Sequence, residues 1–517
     1  MFAMDSTHFD VIIIGTGAGG GTLAHRLAPS GKSILVLERG SFLPQEKANW
    51  DTIEVFQKDR YHTPEIWYDR DGEPIHPGTG YWVGGNTKVY GGALFRWRER
   101  DFERVIHQGG ISPEWELKYK DFEPYYCLAE QLYEVHGQAK QDPTEPYHSS
   151  DYPYPPVSHE PRIQEIHEAL ESRGLHPFHL PLAIKLNEVN RRLGACIRCD
   201  TCDGFPCLVN GKADADITCV RPTVDSASNI TLLTEAEVLR LHTSPTGREV
   251  THVEAKVEGH RMLFTANVVV VSCGAINSAV LLLKSANDRH PNGLANSSDQ
   301  VGRNFMRHQN GAIVGVTRKL NPTQFQKTLA VNDFYWGEQG FDYPMGHIQL
   351  LGKVNKDMIA LDAPSFAPGI ALEEVAKRSV DWWLTAEDLP DSNNRVSVVN
   401  GQIYLDYTDN NTQAFNRLLN RWTEVLKSID CGDSIFPYSL YLRKRIPIQG
   451  VAHQCGTCRF GSDPQTSVLD LNCRTHDVDN LYVVDGSFFR SSAAVNPTLT
   501  IIANALRVGD HLLERLK

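Results

Sequence analysis

Apolar positions fall in short blocks, and the rhythm of those blocks changes along the chain. Residues 9–14 read FDVIII, too short for a helix and almost continuously apolar, which predicts a strand buried on both faces. A glycine-rich turn, GTGAGGG, occupies 15–21, and Leu23 and Leu27 then recur at helical spacing until Pro29, Ser30 and Gly31 break the pattern. A second apolar block at 34–37 stops at Glu38. The order strand, turn, helix, strand predicts a βαβ unit. A third such block at 266–272 precedes Gly274 and a helix through 281–283, and a fourth at 481–484 stops at Asp485 ahead of a last helix from about Thr498.

Between these units the pattern is different. Residues 41–150 are irregular and rich in Trp, Tyr, Pro and Gly, and 142–159 read as a long surface connection. Residues 311–450 carry alternating, aromatic-rich segments that suit an antiparallel sheet. The expected fold is α/β: a Rossmann-like dinucleotide-binding domain from the separated segments 1–95, 208–310 and 450–517. An inserted α+β substrate domain with an antiparallel sheet spans 96–207 and 311–449.

Composition narrows the function. The 517 residues are 41% apolar and 22% charged with net charge −12, an ordinary globular balance. Without a basic block, this argues against nucleic acid or an anionic membrane as partner. The first ten residues carry no basic cluster or apolar core, and no run is long enough to span a bilayer, so the expectation is a cytoplasmic protein.

The first turn has GxGxxG spacing at Gly15, Gly17 and Gly20. The first glycine permits the tight turn, the second lets backbone NH groups approach a pyrophosphate, and the third lets helix and strand pack closely. The helix N-terminus adds free NH groups and a positive dipole end. Glu38, 18 residues after Gly20, stands where a carboxylate binds ribose hydroxyls. The turn alone does not separate NAD from FAD.

Two late polar residues draw attention, His453 in VAHQCGTCRFG (451–461) and Asn496 in NPTLT (496–500). Histidine is suited to accept a hydroxyl proton near neutral pH, and asparagine can hold the same hydroxyl without competing for the proton. Taken singly, His453 is one of 20 histidines and Asn496 reads first as a helix cap. Pro497 and Thr498 fit a first helical turn, whose positive end suits the negative charge of a reduced flavin. Asp485 can bind ribityl hydroxyls or serve an ordinary turn.

Cys196, Cys199, Cys202 and Cys207 follow C-x2-C-x2-C-x4-C, with Cys219 nearby. This misses the bacterial ferredoxin run by one residue and has Pro206 before the last cysteine. Three readings stay open: an iron–sulfur cluster, disulfides or a redox-active pair, and free thiols or zinc. Phe334, Tyr335, Trp336, Trp382 and Trp383 offer platforms for a sugar ring or fill the core.

Together these motifs resemble the glucose–methanol–choline (GMC) oxidoreductase family. GTGAGGG…VLERG resembles its FAD fingerprint, and Gly84, Gly85, Asn86 and Thr87 its flavin-proximal turn. Residues 273–278, with 281–283 and Ser285, resemble its second signature, and 301–304 a segment shortly after it. His453 to Gly461 matches H-x-x-G-T-x-R-x-G, and Asn496 opens the terminal NPTLT. The resemblance implies His453 as catalytic base and Asn496 as its partner. A His/Asn pair is similar to the choline-oxidase and pyranose-oxidase branches. Residues 84–94 contain no His, which implies non-covalent FAD, and the stretch at Asn277 lacks the family's usual proline. Glu387, Asn394, Arg395 and Val396 fall in a segment that approaches the active site in some relatives. The implied activity is oxidation of a primary or secondary alcohol, on a sugar, glycoside or polyol. The electrons then pass to oxygen, a quinone or a redox protein. The rival readings are a family flavoprotein with lyase or decarboxylase chemistry and a non-catalytic flavin electron carrier.

Overall fold

The computed structural model describes residues 7–362, 369–429, 448–450 and 453–517. The start of the polar leader, part of 311–449, and Val451 and Ala452 of the late motif lie outside the described residues.

The first block forms β1 (His8–Ile14), α1 (Ala18–Leu27) and β2 (Ile34–Leu37). β1 pairs in parallel with β2 and with the second half of the strand His260–Val271, so that Ile14 lies between Leu37 and Val271. Ile230–Leu233 extends the sheet beyond β2, and Leu481–Val483 extends it beyond Val269–Val271. The first half of His260–Val271 turns away into an antiparallel ribbon with Val250–Val257 and Ala236–Thr243. Among the described residues, seven strands from the start, middle and end of the sequence therefore share one sheet. Val11, Ile12, Val270, Val271 and Leu481 are fully buried, as a parallel sheet covered on both faces requires.

A second sheet, of five strands among the described residues, has antiparallel pairing at each of its described contacts. Its order is Gln309–Val316, Ser379–Ala386, His347–Leu350, Leu329–Val331 and Phe178–His179. The helix Thr412–Ser428 covers one face through Phe415, Leu418 and Trp422, the last meeting Trp382 edge-on at 4.8 Å. A third sheet joins early and late sequence: Trp67–Asp69 pairs in parallel with Gln402–Asp406. No helix among the described residues is long and apolar enough to cross a membrane.

Candidate active site

A cavity of about 580 Å³ runs from the carboxyl end of β2 to the start of the last helix. The strand ends lie along it, where open α/β sheets bind ligands. Gly15, Gly17, Glu38, Gly85, Asn86, Thr87, Asp485, Thr498, His453 and Asn496 all line it. Gly20, Gly84 and Pro497 do not line it and serve the backbone instead.

The glycines divide the work. Gly15 has φ +99°, and a β-carbon there would lie 2.3 Å from Ser272 O. Such a residue has to be glycine. A β-carbon on Gly20 would meet Gly15 O at 2.1 Å, so Gly20 lets helix and strand touch. At Gly17 the nearest protein atom would be 3.9 Å away; the space its missing side chain leaves is cavity. Gly17 is also the N-cap of α1, with no side-chain cap. The first NH groups of the helix are thus left for an anion. This cradle fits a pyrophosphate.

Glu38 is more internal than a ribose ligand needs to be. Its Oε2 accepts from Thr16 N at 3.0 Å and Thr16 Oγ1 at 2.6 Å, and Oε1 accepts from Gly40 N at 3.0 Å. Burial pushes its pKa up. The carboxylate therefore also locks the glycine turn to the end of β2, and only Oε1 retains spare accepting capacity. Asp485 acts similarly. Oδ2 accepts from Gly274 N at 3.0 Å and Ser278 Oγ at 2.5 Å, while Oδ1 accepts from Ser487 N at 2.8 Å and from Ser487 Oγ. It ties the last strand to the helix Ala275–Lys284. The turn at Gly84 and Gly85 (φ +97° and +56°) opens the 3-10 helix Gly85–Lys88, and Thr16 Oγ1 accepts from Gly84 N at 3.0 Å.

At the far end, His453 lies half-buried, its ring 5.1 Å from that of Trp383. Its Nδ1 is 2.9 Å from His308 Nδ1. Burial, then the nearby His308, Lys327 and His347, hold its pKa well below the usual histidine range. Asn496 is 8% exposed. The last helix begins at Thr498 with Pro497 as N-cap, so Asn496 precedes the cap and its side chain is not spent on the helix. His453 and Asn496 thus reach the same cavity from separate loops.

The aromatic pair at 382–383 splits across its strand, because successive side chains point to opposite faces. Trp382 is fully buried in the core, and Trp383 lines the cavity. Phe334 and Tyr335 are buried, and Tyr335 O–H is 3.1 Å from both carboxylate oxygens of Asp101. Glu387 stays behind the site, paired with His107 at 3.0 Å and accepting from Ser112 Oγ at 2.6 Å. Asn394 is buried and accepts from Thr408 N, and Arg395 pairs with Asp299. Neither these two nor Val396 lines the cavity. Lys327 does, paired with Asp203. Sequence reasoning did not single out Lys327, Asp203 or His308, and no local motif marks them.

The cysteine spacing does not yield a ligand set. Among the described residues no group of three or more His, Cys, Asp or Glu encloses a metal position. Cys196, Cys199, Cys202 and Cys207 are free thiols on a path with neither helix nor strand, so their three-residue spacing does not stack them on one face. Arg198 turns inward between two of them to pair with Glu188 at 2.5 Å. Cys207 Sγ accepts from Gly211 N at 3.2 Å. Burial pushes Cys196 up to about 11 and Cys202 up to about 12. The described residues thus give an iron–sulfur cluster no support beyond the spacing.

Residues 9–310 match the model of the N-terminal part of GMC oxidoreductases, and 439–505 match that of the C-terminal part. The chain belongs to the GMC oxidoreductase family. It is accordingly an FAD-dependent oxidoreductase acting on hydroxyl groups. It is 30% identical to 6'''-hydroxyparomomycin C oxidase of Streptomyces lividus, over 98% of this chain and 92% of that one. It is 29% identical to paromamine 6'-oxidase of Streptomyces fradiae, over 97% and 91%. Pyridoxine 4-oxidase from Mesorbium loti has the same fold, with TM-score 0.66 at 18% identity over 97% of this chain and 99% of that one.

Proposed function

We propose that this GMC oxidoreductase oxidises a primary or secondary alcohol on a sugar, glycoside or polyol, with His453 as base and Asn496 as the residue that holds the hydroxyl. The observation that carries this reading is that both residues line the cavity with side chains committed to no helix cap or ion pair. The relatives named as oxidases of paromamine and hydroxyparomomycin support a glycoside.

In this account the substrate hydroxyl lies between the two side chains. Asn496 donates to its oxygen through Nδ2, which cannot take the proton. His453 accepts the hydroxyl proton through Nε2, and charge developing on the oxygen drives the carbinol hydrogen off with its electron pair. FAD, when bound, supplies the hydride acceptor. Gly15, Gly17, Asn86 and Thr87 would hold it along the cavity and Glu38 at its ribose, while Asp485, whose oxygens already accept from Gly274, Ser278 and Ser487, would serve it by fixing the strand end and helix that line the cavity. No His lies in residues 84–94 to attach it covalently. Trp383 offers a flat apolar face to a sugar ring beside His453. The division into an FAD-binding part (1–95, 208–310, 450–517) and a substrate part (96–207, 311–449) assigns the wall carrying Trp383 and Lys327 to substrate choice. The electron acceptor is oxygen, a quinone or a redox protein.

The test is anaerobic mixing of the holoenzyme with a panel of sugars, glycosides and simple alcohols while the flavin absorbance is followed. Bleaching by hydroxyl compounds, strongest with glycosides or polyols, is expected. A flavin that no hydroxyl compound bleaches would contradict the reading.

A further inference from the structure

His308 stands directly behind His453 and is bonded on both sides. Its Nε2 is 3.0 Å from the carbonyl oxygen of Ser492, and its Nδ1 is 2.9 Å from His453 Nδ1. The two rings are nearly perpendicular, at 86° with centroids 4.9 Å apart. His308 is 1% exposed, just ahead of the strand Gln309–Val316. Its φ is +77°, a backbone conformation that a non-glycine residue keeps only where its surroundings impose it. The strain aims the ring between Ser492 and His453.

The protons along this chain can be assigned from chemistry. A carbonyl oxygen only accepts, so His308 Nε2 carries a hydrogen. A neutral imidazole has one N–H, so His308 Nδ1 carries a lone pair and must accept. His453 Nδ1 is then the donor, and His453 Nε2 carries the lone pair. That Nε2 makes no hydrogen bond among the described residues, and the residue lines the cavity. Burial keeps His308 in the neutral form that the chain of bonds requires.

We propose that His308 is a positioning residue: by accepting the Nδ1 proton of His453, it fixes that ring in the tautomer whose bare Nε2 faces the substrate. The proposal rests on the reading of His453 as base. Without His308, the Nδ1–H of His453 would lie buried with no partner. The ring would then gain by moving that proton to Nε2, where cavity water can accept it. The tautomer so formed has no lone pair on Nε2 to offer a hydroxyl in the cavity. When Nε2 takes the substrate proton, the Nδ1–H bond to His308 becomes charge-assisted and steadies the imidazolium.

The experiment combines ¹⁵N-histidine NMR of the resting holoenzyme with anaerobic stopped-flow reduction. The His453 signals are assigned by their loss in His453→Ala. The wild type should show His453 protonated at Nδ1 and bare at Nε2. His308→Leu should move the proton to Nε2 and slow flavin reduction by about 10–100-fold, the range known for removing the hydrogen-bond partner of a metal-bound histidine, with KM little changed. His308→Asn places a carboxamide oxygen near the Nδ1 position and suits a left-handed backbone; it should restore the Nδ1–H tautomer and most of the rate. Finding Nε2–H in the wild type would overturn the proposal even if no variant folds. So would a His308→Leu protein that keeps both the Nδ1–H tautomer and the wild-type rate. The NMR signals decide the part played by His308, whereas the rate of His453→Ala decides whether His453 is the base, so the two failures are distinct.

Discussion

Gly17 and Gly85 meet backbone to backbone: a β-carbon on Gly85 would stand 3.0 Å from Gly17 Cα, and one on Gly17 would stand 3.9 Å from Gly85 Cα. The contact brings the first turn of α1 and the 3-10 turn together at the cavity wall, and it tolerates a side chain on Gly17 better than on Gly85.

Gly17 and Gly20 of the first turn should therefore fail differently. Gly17→Ala, at φ −67°, adds a methyl that enters the cavity rather than the protein. The apoprotein should melt close to wild type while FAD retention falls. Gly20→Ala drives a methyl into Gly15 O and should destabilise the fold by about 1–3 kcal/mol. Thermal melting and bound-flavin content separate the two; equal loss of stability in both would show that Gly17 is structural.

Asn496→Ala tests whether that side chain serves the helix or the cavity. Loss of a true N-cap costs about 1 kcal/mol, but Pro497 holds the cap position. The melting temperature should stay near wild type while flavin reduction slows, by less than in a His453 variant. A clear drop in stability at an unchanged rate would return Asn496 to the role of a cap.

Much of this was legible in the sequence because it was local. The apolar runs, the turn glycines and the helix breaks around β1, α1 and β2 are decided within a few residues, and so is the helix start at Thr498. What was not legible depends on chain path. Trp382 and Trp383 are adjacent and identical in type, and only the register of their strand sends one to the core and the other to the cavity. The cysteine spacing left a metal, a disulfide and free thiols open, because spacing implies convergence only on a regular path, and this path is irregular. His308 carries no motif of its own, and its partners lie 145 and 184 residues away.

The stacked rings of His159 and His179, 4.2 Å apart and 1° from parallel, give a prediction for acid stability. Burial, and then the neighbouring histidines, depress His159 to about 3 and His179 to about 4. An unfolded histidine titrates near about 6.5. Below that value the unfolded chain binds protons that the native pair refuses, so their contribution is intact above about pH 6.5 and is lost as pH falls toward about 4 and then 3. His159→Asn removes one of these titrations, so its melting temperature should fall less than that of wild type over this window. Parallel declines would contradict the assignment.

His453 itself is held well below the usual histidine range by burial and by His308, Lys327 and His347. The base is then already unprotonated at neutral pH. The rate of flavin reduction should stay level as pH falls through about 6.5 and decline only at lower pH. A loss of rate centred at or above the ordinary histidine value would mean that the base is less desolvated than the cavity indicates.

The most direct test of the account is stopped-flow anaerobic reduction of His453→Ala with a hydroxyl substrate that bleaches the wild-type flavin. The half-reaction is independent of the electron acceptor, and retained flavin shows that the cofactor site is intact. General-base catalysis contributes about 10²–10⁴-fold. The variant should hold FAD and reduce it more slowly by about that factor. Reduction at the wild-type rate would show that another group takes the hydroxyl proton.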